Sequence, residues 1–180
     1  MKATILLFFA FFSLSFFAQE KYYTTTGTVL FESSVPSFEE VKATNTKVTA
    51  ILKDDGTIAS LALTKAFRFK IALMEEHFNE NYMESNRFPK ATFSGKISNF
   101  SIDQLTSSEK EFNIKGKLTI RGVPKNIEIR SRIKKHKNTI SISSNFTTTP
   151  EDFGIKIPSI VRNKIAKKVA VTFHFILKKK

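Results

Sequence analysis

Val169-Ala-Val-Thr-Phe-His-Phe-Ile-Leu177 is the stretch on which the fold turns. Val169, Val171, Phe173, Phe175 and Leu177 occupy every second position of it. Successive side chains of an extended chain point to opposite sides, so this spacing predicts a strand with one wholly apolar face. The same period runs back through the chain. Ile127, Ile129 and Ile133 alternate with Glu128, Arg130 and Arg132, and Ile140, Ile142 and Phe146 repeat the pattern, as do Phe67, Phe69 and Ile71.

Working outward, segments rich in Val, Ile, Thr and Phe recur between turn signals, and nine strands are predicted. They cover Tyr23 to Glu32, Thr46 to Lys53, Thr57 to Leu63, Phe67 to Ala72, Ala91 to Ile102, Glu111 to Ile120, Asn126 to Lys134, Thr139 to Phe146 and Lys168 to Leu177. Asp54-Asp55-Gly56 marks a hairpin, because glycine tolerates the positive φ such turns need. Nine strands with one apolar face each can hide that face in a sandwich or in a closed barrel, and the rhythm alone does not choose between them.

One segment breaks the period. In Leu73 to Ser85, Met74, Phe78 and Tyr82 stand at i, i+4 and i+8 among Glu75, Glu76, Glu80 and Glu84. That is the spacing of a short amphipathic helix, closed by Phe88-Pro89. Set between strands, it can cap one mouth of a barrel as a lid carrying Met74, Phe78 and Tyr82.

The ends and the composition bound the rest. Lys2 followed by an apolar run to Ala18 reads as a cleaved signal peptide over residues 1–18, too short to span a bilayer. The expected product is an exported soluble domain over residues 19–180, periplasmic or secreted. There is no cysteine, which excludes a disulfide framework, thiolate-metal chemistry and a lipid-accepting cysteine. Net charge is +13, but residues 19–108 carry 10 basic and 11 acidic side chains while residues 109–180 carry 18 and 5. A basic second half favours anionic partners such as a membrane surface or an envelope polymer.

The strands and helix also carry a resemblance. His77-Phe-Asn-Glu-Asn-Tyr-Met-Glu-Ser-Asn-Arg-Phe-Pro-Lys-Ala-Thr-Phe-Ser-Gly95, then Gly116-Lys-Leu-Thr-Ile-Arg-Gly-Val-Pro-Lys125, then Asp152-Phe-Gly154 resemble the YceI family of lipocalin-like, polyisoprenoid-binding proteins. These anchors span the chain from about Phe67 to Leu177. The resemblance implies an elongated antiparallel barrel of eight strands around an apolar tunnel, with a helix near its opening. Many members carry Asp-x-x-His-Ser in the first strand and tryptophan nearby; Tyr22 to Ser34 has neither, and the chain has no tryptophan. The scaffold carries over and the ligand's identity does not.

An eight-stranded barrel is either just filled by its side chains or left open for one small ligand. Thirteen of the 19 phenylalanines lie outside the N-terminal segment, and Phe67, Phe69, Phe93, Phe112, Phe146, Phe173 and Phe175 are the predicted lining. An isoprenoid or fatty-acyl chain gains roughly 0.8 kcal/mol per buried CH₂ on entering such an interior, so about ten buried carbons give ample driving force. Arg121, Lys125, Arg130 and Arg132 are the candidate head-group contacts. The expected partner is an apolar or amphiphilic small molecule, with no cofactor.

Chemistry finds little support. His77 and Glu80 have an i, i+3 spacing that can share a metal, but a hydrolytic site wants three protein ligands, and His136 and His174 lack acidic neighbours. No nucleophile elbow, phosphate loop or dinucleotide fingerprint is present. The aromatics fall on apolar faces and do not interleave with Lys and Arg, which argues against nucleic acid. A metal site and catalytic residues are therefore not expected. The alternatives to a carrier are an envelope module gripping an anionic polymer or membrane with no internal ligand, and a metal-dependent enzyme.

Overall fold

The computed structural model describes residues 20–180; the predicted signal peptide lies outside them. Nine strands run β1 (Lys21–Glu32), β2 (Lys42–Lys53), β3 (Thr57–Leu63), β4 (Arg68–Phe69), β5 (Lys90–Ile97), β6 (Lys110–Ile120), β7 (Val123–His136), β8 (Thr139–Thr148) and β9 (Val169–Lys179), with one helix, α1 (Ala72–His77), between β4 and β5. Pairing follows the order β1-β9-β8-β7-β6-β5-β3-β2, every pair antiparallel, and β1 pairs with β2 to close the circuit. The fold is a closed eight-stranded antiparallel barrel; β4 only adds two residues to the start of β2, Ala43 against Phe69 and Thr44 against Arg68. Closure answers the question left open between sandwich and barrel: among the described residues each of the eight long strands has a partner on both sides, β7 meeting β8 over Ser131–His136.

Period two is realised strand by strand. In β9 Phe173, Phe175 and Leu177 are buried and Thr172, His174 and Ile176 exposed. In β7 Ile129, Ser131 and Ile133 are buried while Arg130 and Arg132 face solvent. One end of the barrel is sealed. There Tyr22, Leu52, Leu105, Ile133, Ile140 and Leu177 are all buried, and Phe100 packs edge-on against Phe112 with ring centroids 5.8 Å apart.

Two predicted elements are redrawn. The strand expected over Phe67 to Ala72 shrinks to two residues, because the Glu75 carboxylate accepts the Phe69 backbone N–H at 3.1 Å and the Arg68 guanidinium at 2.7 Å, taking a donor that a strand neighbour would need. The helix expected to run on to Ser85 is α-helical only over Ala72–His77 and widens into a π-turn over Phe78–Tyr82. Asn79 is the cause: its side-chain amide donates to the Glu75 carbonyl at 2.8 Å, and Met83 N–H reaches back five residues to the Phe78 carbonyl at 2.9 Å. Inserted side chains of this kind are what turn an α-helix into a π-bulge. The strand expected to reach Ile102 stops at Ile97, where the chain turns to build the sealed end.

Candidate functional site

Opposite the sealed end the barrel opens into an apolar cavity of about 550 Å³, inside the size range of small-molecule pockets. Its depth is walled by Val48, Ile58, Ile114, Ile129, Phe173 and Phe175, and its outer part by Val29, Phe31, Phe67, Phe69, Phe93 and Phe146. Phe173 and Phe175 stack at 4.8 Å.

Phe93 takes its place because two glycines face each other across a strand pair. Gly95 of β5 is in register with Gly116 of β6, and the Phe93 ring lies where their side chains would be: a Cβ would stand 2.8 Å from Phe93 Cζ at Gly95 and 2.6 Å at Gly116. A large aromatic thus covers the gap left by two missing side chains.

The mouth is framed by three loops and the helix. Met74, Phe78, Tyr82 and Met83 line the cavity from the helical side. Phe78 contacts Phe31, Phe67 and Phe69 at ring-centroid separations of 5.3, 5.9 and 5.1 Å, distances at which aromatic pairs attract. On the other side, Ile155, Ile157, Val161 and Ile165 of the β8–β9 connection turn inward.

Polar groups are sparse and mostly occupied. Ser33 Oγ donates to the Ala166 carbonyl at 2.8 Å and Thr148 Oγ1 to Asp152 at 3.2 Å. The ionisable residues at the rim are Glu39, His77 and Lys164.

Of the predicted lining, Phe67, Phe69, Phe93, Phe146, Phe173 and Phe175 border the cavity, and so do Met74, Phe78 and Tyr82. Phe112 does not. It stands too near the sealed end, paired with Phe100 and buried in the plug.

None of the four predicted head-group contacts lines the cavity. Arg130 and Arg132 occupy the outward positions of β7, on the far side of the wall from the cavity, and Arg132 faces Glu109 at 3.9 Å. Arg121 and Lys125 are at the open end but engaged. Arg121 pairs with Glu84 and donates to the Gly154 carbonyl at 2.8 Å, and Lys125 pairs with Asp152.

Those two pairs hold the mouth together. Arg121 and Gly122 form the two-residue turn between β6 and β7, with φ of 51° and 75°, the left-handed geometry that suits the twist of a tight hairpin. From that turn Arg121 ties the segment after the helix to the Asp152-Phe153-Gly154 corner. At the corner, Thr149 and Asp152 form a reciprocal capping box and Phe153 is buried. The Lys125 ammonium, with the Thr149 N–H, holds the Asp152 carboxyl down to about 2.

His77 and Glu80 do not converge. His77 reaches the cavity rim, while Glu80 shares an outer cleft with Lys65 and Arg68. Among the described residues no three metal-ligating side chains cluster, and no helix is long and apolar enough to cross a membrane.

Phe31, Met83, Phe153 and Lys164 also line the cavity and stand outside the predicted set. Phe31 was within reach of the period-two argument, since it shares the face of Gly27 and Val29 on β1. Lys164 lies in a segment without period, where nothing signalled direction.

The chain matches the YceI-like domain over residues 15–177. It belongs to the YceI-like family. Solved structures share its fold: a polyisoprenoid-binding domain from Saccharophagus degradans implicated in plant cell wall breakdown (13% identity, TM-score 0.79, covering 89% of this chain and 98% of that one), and BcnA from Burkholderia cenocepacia (15%, 0.68, 83% and 95%). The YceI protein of Campylobacter jejuni is similar as well (17%, 0.65, 81% and 89%). No curated protein matches.

Proposed function

We propose that this YceI-like protein is an exported carrier that holds an apolar or amphiphilic chain, of isoprenoid or fatty-acyl type, inside its barrel. The observation that carries the reading is the open, phenylalanine-walled cavity of about 550 Å³. An apolar space of this size favours an apolar occupant by the free energy of removing each methylene from water. The polyisoprenoid-binding domain that shares the fold supports the ligand class, and the apolar N-terminal run supports export. The ligand's tail occupies the depth between Ile114, Ile129 and Phe175, and an anionic head group lies at the rim beside Lys164 and His77. The protein acts by binding, not by catalysis.

Native mass spectrometry of the protein purified from its own cell envelope, followed by organic extraction, tests this. A lipid released at near one per chain is the expected result. A bare protein that also refuses polyprenyl and fatty-acyl probes overturns it.

A further inference from the structure

The two ends of the barrel differ in what they leave exposed. Among the described residues, Phe38, Leu63, Leu73, Val123 and Ile160 are exposed large apolar side chains at the open end, with Ile160 83% exposed; only Tyr23 and Ile176 are exposed toward the sealed end. Exposed apolar groups gathered at one end mark a contact surface.

The open end also carries charge. Residues 155–168 contain Lys156, Arg162, Lys164, Lys167 and Lys168 and no acidic residue. All five are exposed, and none forms an ion pair among the described residues. The segment is two-sided: Ile155, Ile157, Val161 and Ile165 line the cavity, Lys164 stands at its rim, the other four cations are exposed, and the turn Ser159–Val161 lifts Ile160 into solvent. The helix's carboxylates do not cancel this field. Glu75, Glu76 and Glu80 line a separate cleft with Lys65, Arg68 and Lys70, which leaves Glu39 as the carboxylate at the cavity rim.

We propose that the open end docks on an anionic lipid surface through residues 155–168, with Ile160 entering the headgroup layer and the five cations lying over it. Basic side chains near an anionic bilayer and an apolar residue inserted at its boundary are the two contributions that hold peripheral proteins there. Docked in this way, the mouth opens onto the bilayer, and an apolar cargo passes between membrane and barrel without crossing water. The inference deepens the carrier reading and rests on it for its purpose.

The test is flotation of the self-closed barrel, residues 20–180, with vesicles of one-third phosphatidylglycerol in phosphatidylcholine and with vesicles of phosphatidylcholine alone. Binding to the anionic vesicles that weakens as salt rises is expected. Each cation near such a surface contributes about fivefold, so Lys167→Glu with Lys168→Glu lowers partitioning by at least tenfold. Ile160→Asp weakens it as well, and Lys135→Glu with Lys137→Glu at the sealed end leaves it within about twofold. Equal binding to both vesicle types, or an equal loss in the sealed-end variant, overturns the proposal.

Uptake of a fluorescent fatty acid without vesicles separates docking from carriage. Loss of vesicle binding with uptake retained assigns the defect to the docking face. A wild-type barrel that takes up the fatty acid but ignores both vesicles removes the docking face. One that binds anionic vesicles but takes up no fatty acid removes the carrier reading and leaves the docking face standing.

Discussion

Phe78, in the π-turn after α1, stacks on Phe31 of β1 with ring centroids 5.3 Å apart and planes 28° from parallel. The helix is thereby held to the barrel wall by an aromatic surface at the mouth of the cavity. Phe78→Ala removes this contact together with those to Phe67 and Phe69. Because Phe78 is only partly buried, the expected loss is about 1–2 kcal/mol, below that of a fully buried phenylalanine. The sharper effect is kinetic. Release of a bound fluorescent fatty acid, followed by stopped flow, should quicken by about tenfold, the equivalent of about 1.4 kcal/mol less holding the lid shut. An unchanged release rate would show that the helix is not the barrier.

The facing glycines give a second test. A Cβ on Gly116 stands 2.5 Å from the Ser94 carbonyl oxygen and 2.6 Å from Phe93 Cζ, so Gly116→Val must push the ring or part the strands. Overpacking of this kind costs about 1–3 kcal/mol, readable in a urea titration. If the Phe93 ring moves inward instead, the variant keeps more of its stability and loses ligand uptake, and the two measurements together tell which way the strain goes.

The strands and their inward faces were legible in the sequence because a sheet with one apolar face imposes one rule on every strand, that each second residue faces in; the same rule holds in a sandwich, so the barrel itself came only from the resemblance. Phe173, Phe175, Ile129 and Ile133 follow it. The rule reports which way a residue points and says nothing of its height along the barrel, which is why Phe112 is inward and yet lies below the cavity. Arg130 and Arg132 are the opposite case. Their alternation with Ile129 and Ile133 turns them outward, away from the cavity. Arg121, Lys125 and Lys164 occupy or adjoin loops, where direction depends on partners distant in sequence such as Glu84 and Asp152. The end of α1 depended on a local detail that apolar spacing does not report, the Asn79 amide bonding to the Glu75 carbonyl.

Arg121 holds a left-handed backbone with φ of 51°, a conformation that costs a residue with a Cβ about 1 kcal/mol and costs glycine almost nothing. Its side chain offsets that cost by pairing with Glu84 and bonding to the Gly154 carbonyl. Arg121→Ala loses the bonds and keeps the strain, whereas Arg121→Gly loses the bonds and relieves it. The glycine variant is therefore expected to be the more stable of the two by about 1 kcal/mol in chemical denaturation. Reversal of that order would show that the turn is not strained.

Asp152 makes stability depend on pH in a defined direction. Its pKa lies at about 2 in the folded chain against an ordinary 3.8, first because the Lys125 ammonium bonds to the carboxylate and then because the Thr149 N–H does. A carboxyl with a depressed folded pKa binds its proton more weakly in the folded than in the unfolded state. Its contribution is complete above the unfolded value and falls away as pH drops through the folded one. The urea midpoint of the wild type should therefore exceed that of Asp152→Asn by a constant margin above about pH 5, with the margin narrowing below about pH 4 and closing near pH 2. Lys125→Met should remove most of the same margin, since it deletes the leading cause. A gap between wild type and Asp152→Asn that stays open at low pH would mean that the asparagine disturbs the Thr149 cap itself, and that the charge on Asp152 contributes little to holding the mouth.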